Sequence, residues 1–136
     1  MELRLHHAAI SVSDLERSKA FYAELGFQPV VDWADPSGSP KICHMKLGDS
    51  YLELFWFEAH LAAPESAAQL QTDLPRVGCK HFALRVDSID EAKAFVEDKG
   101  WAAGVAVLEG RTGVRYFFVP DPDGILVEFV EDRRGL

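Results

Sequence analysis

The strongest constraint on this chain is that one pattern is written in it twice. Leu5 to Phe27, LHHAAISVSDLERSKAFYAELGF, returns as Lys80 to Trp101, KHFALRVDSIDEAKAFVEDKGW. Aligned without a gap from His7 and His81, the copies are identical at His7/His81, Ala9/Ala83, Val12/Val86, Lys19/Lys93, Ala20/Ala94, Phe21/Phe95 and Gly26/Gly100. Self-similarity on this scale means two copies of one supersecondary unit. Each copy opens with a short apolar run, passes a helix-start signal and continues as an amphipathic segment, so each reads as a strand followed by a helix. Ser13 with Glu16, and Ser88 with Glu91, fit the capping box, in which a hydroxyl and a carboxylate satisfy amides that the first turn leaves free. Gly26 and Gly100 suit the left-handed residue that closes a helix.

With 136 residues and a hydrophobic fraction of 48%, the chain has the length and composition of one ordinary globular domain. The expected organisation is a single domain over 1–136, with one module over 4–58, a join over 59–78 and a second module over 79–132. The net charge of -8 argues against a nucleic-acid surface and against an anionic membrane. The start MELRLHHAAI lacks the basic start and long apolar run of a signal peptide, so a cytoplasmic location is expected. Cys43 and Cys79 are not spaced as Cys-x-x-Cys; they read as small hydrophobes rather than as a disulfide or a thiolate zinc site.

Period-two alternation in the first strand, about Leu5 to Val12, sets Ala8, Ile10 and Val12 on one face and His7, Ala9 and Ser11 on the other. The helix after it carries Leu15, Phe21, Tyr22 and Leu25 in one stripe, which covers the apolar face of the sheet. A second strand spans Gln28 to Trp33, and the Pro- and Gly-containing stretch Ala34 to Pro40 is a loop. Lys41 to Leu47 and Tyr51 to Phe57 are strands joined by the hairpin signal Gly48-Asp49. The join predicts a short helix near Pro64 to Leu70. The second module reads as strand His81 to Val86, helix Ile89 to Lys99, and strands Ala103 to Leu108, Val114 to Val119 and Ile125 to Glu131, with tight turns at Glu109 to Gly113 and Asp121 to Gly124. Both modules are therefore β-α-β-β-β, an α+β architecture.

Alternation gives His81 the orientation of His7 and gives Glu128, on the last strand, that of Glu53. The histidines lie 74 residues apart and the glutamates 75, which suits one pseudo-twofold relation for both pairs. If the first and last strands of each module are neighbours, two imidazoles and two carboxylates converge. Two neutral nitrogens and two anionic oxygens balance a divalent cation and suit Ni, Co, Zn, Mn or Fe, with positions left for water or substrate.

The stretches HHAAISVSDLERSKAFYAELGF, YLELFWF, KHFALRVDSIDEAKAF and DPDGILVEFV resemble the vicinal-oxygen-chelate superfamily, which includes glyoxalase I, bleomycin-resistance proteins, fosfomycin-resistance enzymes, epimerases and extradiol dioxygenases. The resemblance implies two tandem βαβββ modules whose curved mixed sheets form a metal-binding cleft, commonly in a homodimer. It places the metal ligands at His7, Glu53, His81 and Glu128. A complete ligand set is similar to that of the glyoxalase I-like lyase and isomerase branch, which implies proton transfer beside a metal-chelated carbonyl. Glu128 is then the preferred base, with Glu53 acting on the opposite face. An extradiol-type dioxygenase, and a non-catalytic protein that binds an antibiotic or another aromatic ligand, are the alternatives.

The chain departs from glyoxalase I where that enzyme has a basic residue for the glutathione carboxylate, near Ser11, and an Asn shortly after Glu53, which LFWFEA lacks. Arg111 and Arg115 are candidates to anchor a substrate anion, or else solvated hairpin charges, and Phe55 is a candidate wall of the substrate site together with Tyr51 and Phe57. His6 is read as a core-edge residue. His44 and His60 have no matching histidine in the repeat and are set aside, and Arg85 reads as well as a salt-bridge partner as a site residue.

Overall fold

The duplication is realised as two copies of one unit. In the computed structural model, which describes residues 1–135, the chain divides into two compact units, one over Met1–Pro64 and one beginning at Glu65. The first holds β1 (His7–Val12), α1 (Leu15–Glu24), β2 (Gln28–Ala34), β3 (Lys41–Leu47) and β4 (Ser50–Trp56). In the second, a 3-10 turn (Glu65–Ala68) and the one-turn helix α2 (Leu70–Asp73) precede β5 (Phe82–Arg85), α3 (Ile89–Asp98), β6 (Leu108–Glu109), β7 (Arg115–Pro120) and β8 (Leu126–Glu131).

Each unit contains a four-stranded mixed sheet, in the orders β1-β4-β3-β2 and β5-β8-β7-β6. First and last strands are indeed neighbours, and they run parallel: β1 on β4 and β5 on β8. A parallel pair needs a long crossover, which the helix and the two intervening strands supply. The remaining pairs are antiparallel and joined in sequence.

Strand alternation separates an inner face from an outer one in both sheets. In unit 1, Cys43, Met45, Leu52 and Leu54 are buried together with Tyr22 and Leu15 of α1. In unit 2, Phe117, Val119, Val127 and Phe129 are buried together with Ile89 and Val96 of α3. Both helices close as their glycines require: Gly26 has φ +90 and Gly100 φ +69, a region that costs a side chain but not glycine.

Two expectations are corrected. Ser88 does cap α3, its hydroxyl accepting the Glu91 amide at 3.3 Å, but the cap of α1 is Asp14, whose carboxylate accepts the Arg17 amide at 3.0 Å. In the gap-free repeat Asp14, not Ser13, is opposite Ser88, and both aspartate and serine are strong N-caps. The strand expected over Ala103 to Leu108 shrinks to Leu108–Glu109. Gly104 turns the chain at φ +63, and the Val105 amide bonds the Glu97 carboxylate at 2.9 Å instead of a neighbouring strand.

The outer edge of the first sheet, β2, is exposed along its whole length and irregular in register between Pro29 and Val31. Proline and a bulge are usual features of an edge strand that does not propagate pairing. Lys19 of α1 ties this edge to the helix, 3.0 Å from the Asp32 carboxylate.

The cap assignment has a direct test. Asp14→Ala is expected to lower the unfolding free energy by about 1 kcal/mol, and Ser13→Ala by distinctly less, in urea titrations followed by circular dichroism. Equal losses in the two variants would return the capping role to Ser13.

Candidate functional site

The parallel pairing sets the geometry of the candidate ligands. In unit 1 Glu53 is opposite Ala9, two residues beyond His7 on the same strand face. In unit 2 Glu128 is opposite Ala83, two residues beyond His81. The diagonal is the same in both copies and brings imidazole and carboxylate together. His7 Nε2 stands 3.5 Å from Glu53 Oε2, and His81 Nε2 stands 3.0 Å from Glu128 Oε2. Both glutamates are mostly shielded, with side chains 17% and 15% exposed, whereas the histidines keep 42% and 27%. A shielded carboxylate beside a more accessible imidazole leaves polar atoms available to a ligand without stranding a bare charge in the core.

These distances suit a shared metal. Nitrogen and oxygen donors lie ~2.0–2.2 Å from a zinc-like ion, so two adjacent donors on it stand roughly 2.8–3.6 Å apart. Among the described residues, no three or more His, Cys, Asp or Glu side chains are grouped so as to hold a metal ion. Each unit taken by itself therefore offers one matched pair of donors.

In unit 1 a further histidine has reached the pair. His44 Nε2 donates to Glu53 Oε1 at 2.8 Å, since an ionised carboxylate only accepts. The sequence reading set His44 aside for want of a histidine in the repeat. The signal was present elsewhere: a two-residue turn at Gly48-Asp49 pairs Leu47 with Ser50, and counting back along that hairpin sets His44 opposite Glu53. His6 also departs from expectation. It is exposed, stacks on Tyr51 with centroids 4.9 Å apart, and has its Nδ1 2.9 Å from His7 Nδ1. His60, by contrast, bonds the local Phe57 carbonyl at 3.2 Å.

In unit 2 the ring of Phe118 meets His81 edge-on at 5.0 Å, and His81 Nδ1 is buried with no hydrogen-bond partner. Nε2 is the nitrogen that faces Glu128.

The substrate candidates separate. Phe55 is half-buried on β4, on the same strand face as Tyr51 and Glu53, whereas Phe57 is exposed beyond the strand. Arg111 is exposed in the turn between β6 and β7. Arg115 is held among carboxylates: Asp90 at 3.2 Å, Glu109 at 3.4 Å and Glu131 at 3.5 Å. The hydrogen bond that the guanidinium donates to Asp90, with the charges of Asp90, Glu131 and Glu109, raises its pKa further. Glu131 is 3% exposed, accepts the Ile89 amide at 2.8 Å and is also ion-paired with Arg133, so Arg115 belongs to the network that anchors the start of α3. Arg85 bonds the Asp132 carbonyl at 3.2 Å. Cys43 is buried, and burial first, then the Asp32 carboxylate, pushes its thiol up to about 12. It is a packing residue, not a nucleophile.

A duplicated βαβββ unit with a His–Glu pair at the same place in each copy defines a class of proteins. Residues 4–129 match the model of the Glyoxalase/Bleomycin resistance protein/Dioxygenase superfamily, and the chain belongs to that superfamily. It is 35% identical over 130 residues to YwkD of Bacillus subtilis (strain 168), covering 93% of this chain and 95% of that one. A glyoxalase family protein from Enterococcus faecalis shares its structure with a TM-score of 0.77 at 30% identity, over 94% of this chain and 97% of the other. The trypanothione-dependent glyoxalase I of Leishmania major has the same fold, with a TM-score of 0.68 at 24% identity over 96% and 87% of the two chains. No helix among the described residues is long and apolar enough to cross a membrane.

Replacing Arg115 distinguishes anchoring of α3 from substrate binding. Arg115→Ala is expected to lower the midpoint of urea unfolding, because the largely buried Glu131 carboxylate loses a charged partner. A variant of unchanged stability would argue instead for a role toward substrate.

Proposed function

We propose that this protein is a metal-dependent lyase or isomerase of the glyoxalase-like type, which moves a proton on the carbon next to a carbonyl in a small oxygenated or thiol-adduct substrate. The observation that carries the reading is the repeated diagonal, His7 with Glu53 and His81 with Glu128, each presenting Nε2 and Oε2 at the spacing of neighbouring metal donors. We assign these four residues as ligands of one divalent ion, with Ni, Co, Zn, Mn and Fe compatible with such a donor set. When bound, the ion supplies Lewis acidity to the oxygens of the substrate.

The chain's own groups do the rest. His7 and His81 hold the site through neutral nitrogens and leave the anionic charge to the glutamates. Glu128 acts as the general base, taking the proton from carbon and returning it, and Glu53 is the second carboxylate able to do so. The half-buried ring of Phe55 shields the substrate from water, and exposed Arg111 is the cation available to an anionic substituent. The family's frequent pairing of two copies supports a homodimer. The two free cysteines, buried Cys43 and exposed Cys79, accord with a reducing cytoplasm.

Elemental analysis of the purified protein after dialysis against metal-free buffer tests the ligand set. About one divalent ion per chain is expected, with strong depletion in His7→Ala and in Glu128→Gln. Proton transfer is read by NMR as deuterium uptake from solvent into hemithioacetals of α-ketoaldehydes with a panel of small thiols. Glu128→Gln, reloaded with metal, is expected to lose a factor of ~10²–10⁴ in rate. A protein that carries no ion, and takes up none when Zn²⁺ or Ni²⁺ is offered, would overturn the enzyme reading in favour of a ligand-binding module.

A further inference from the structure

The two halves of the repeat agree at the ligands and disagree at one neighbouring position. His44 of β3 lies directly opposite Glu53 of β4. Phe118 of β7 lies directly opposite Glu128 of β8. The two residues are 74 apart, the same offset as His7 and His81, so they are repeat counterparts. One can donate a hydrogen bond to its glutamate and the other cannot.

We propose that His44 is a positioning residue which holds Glu53 in place through its second carboxylate oxygen, a role that the repeat counterpart Phe118 cannot perform for Glu128. The inference rests on the metal reading above. Its geometry is that the two imidazoles divide one carboxylate between them: His44 Nε2 takes Oε1 at 2.8 Å, while Oε2 is the oxygen nearest His7, at 3.5 Å. The rings of His7 and His44 lie nearly parallel, 18° apart with centroids at 6.4 Å, so they approach the carboxylate side by side without competing for one oxygen. With Oε1 engaged, a single oxygen of Glu53 remains for an ion. A charge-assisted hydrogen bond of this length resists rotation of the carboxylate. The side chains of His44 and Glu53 are 31% and 17% exposed, so water competes only partly for the bond.

Unit 2 lacks the clamp. Glu128 meets His81 at 3.0 Å through Oε2, and the position of the second donor is filled by a phenyl ring that packs against His81 instead. His44 thus distinguishes two glutamates that sequence symmetry makes equivalent: Glu53 has a donor on each oxygen's side, and Glu128 has His81 with no donor at the Phe118 position.

The test compares His44→Phe, which copies the counterpart in unit 2, with His44→Gln, which keeps an N–H donor. Zn²⁺ affinity is measured by chelator competition, with apo-protein melting curves establishing that each variant is folded. His44→Phe is expected to bind Zn²⁺ about 10–100-fold more weakly, the usual effect of removing a partner that orients a ligand, and His44→Gln within about threefold of the unsubstituted protein. In the unsubstituted protein, long-range ¹H–¹⁵N spectra are expected to keep the His44 proton on Nε2 when Zn²⁺ is added, while His7 Nε2 shifts as a ligated nitrogen.

Equal affinity in His44→Phe would overturn the positioning role while leaving the ligand set intact. A loss in His44→Gln as large as in His44→Phe would assign the effect to packing rather than to the hydrogen bond. Ligation of Zn²⁺ by His44 Nε2 itself would make it a ligand instead of a positioning residue. Failure of the unsubstituted protein to bind any Zn²⁺ would remove the metal reading and this inference with it.

Discussion

Everything at the site depends on the parallel pairing of the first strand of each module with its last. Hydrogen bonding alone does not specify which residues end up face to face; the register does, and a slip of one residue would send His7 or His81 to the opposite face of the sheet. That register is locked by burial. On β4, Leu52 and Leu54 flank Glu53 in sequence and are almost wholly buried, and on β8 Val127 and Phe129 do the same for Glu128. The glutamates point to the other face because their neighbours must point inward. Core packing on one side of each sheet thus aims the chemistry on the other.

The helices serve the same end. Each crosses from the end of one sheet edge toward the strand that will pair next, and each is closed by a glycine at positive φ. The buried Glu131 receives the amide at the start of α3, so β8, the strand that carries Glu128, is bonded directly to the helix covering it. Burying a carboxylate is costly unless it is fully paired, and the backbone amide together with Arg115 and Arg133 meets that requirement. The strand that carries Glu128 is thereby held at its end, three residues beyond that glutamate.

Much of this was legible in the sequence because the repeat doubles every signal. Strand, helix and hairpin order came from periodicity and punctuation, and the neighbouring first and last strands followed from asking where two histidines and two glutamates could meet. What was missed has specific causes. Asp14 and Ser13 are adjacent residues with nearly equal capping power, and local pattern alone does not choose between them. Val105 looked like a strand residue by composition, but a nearby carboxylate, Glu97, captured its amide. Phe55 and Arg115 were both plausible substrate residues by face and charge, yet only Phe55 lies on the glutamate's strand face without being claimed by neighbours. Arg115 is engaged by three carboxylates from distant parts of the chain, a convergence that no local window contains. His44 was passed over because symmetry was used as a filter, and it lies where the two halves have diverged.

That divergence bears on how a duplicated site acquires direction. Two identical half-sites would present equivalent carboxylates, with nothing to distinguish the group that binds from the group that reacts. A single replacement across the last hairpin of one module breaks the equivalence without disturbing either ligand. The difference between His44 and Phe118 is small in sequence and local in structure, but it changes what a glutamate gains by staying where it is. A carboxylate that would forfeit a second charge-assisted hydrogen bond on moving is the better suited to hold: Glu53 has His44 besides His7, and Glu128 has His81 with no donor at the Phe118 position. Preorganised placement of a carboxylate is one requirement of the proposed proton-transfer chemistry. In the proposed site His44 would meet it at one position of the repeat, on a scaffold that both halves share.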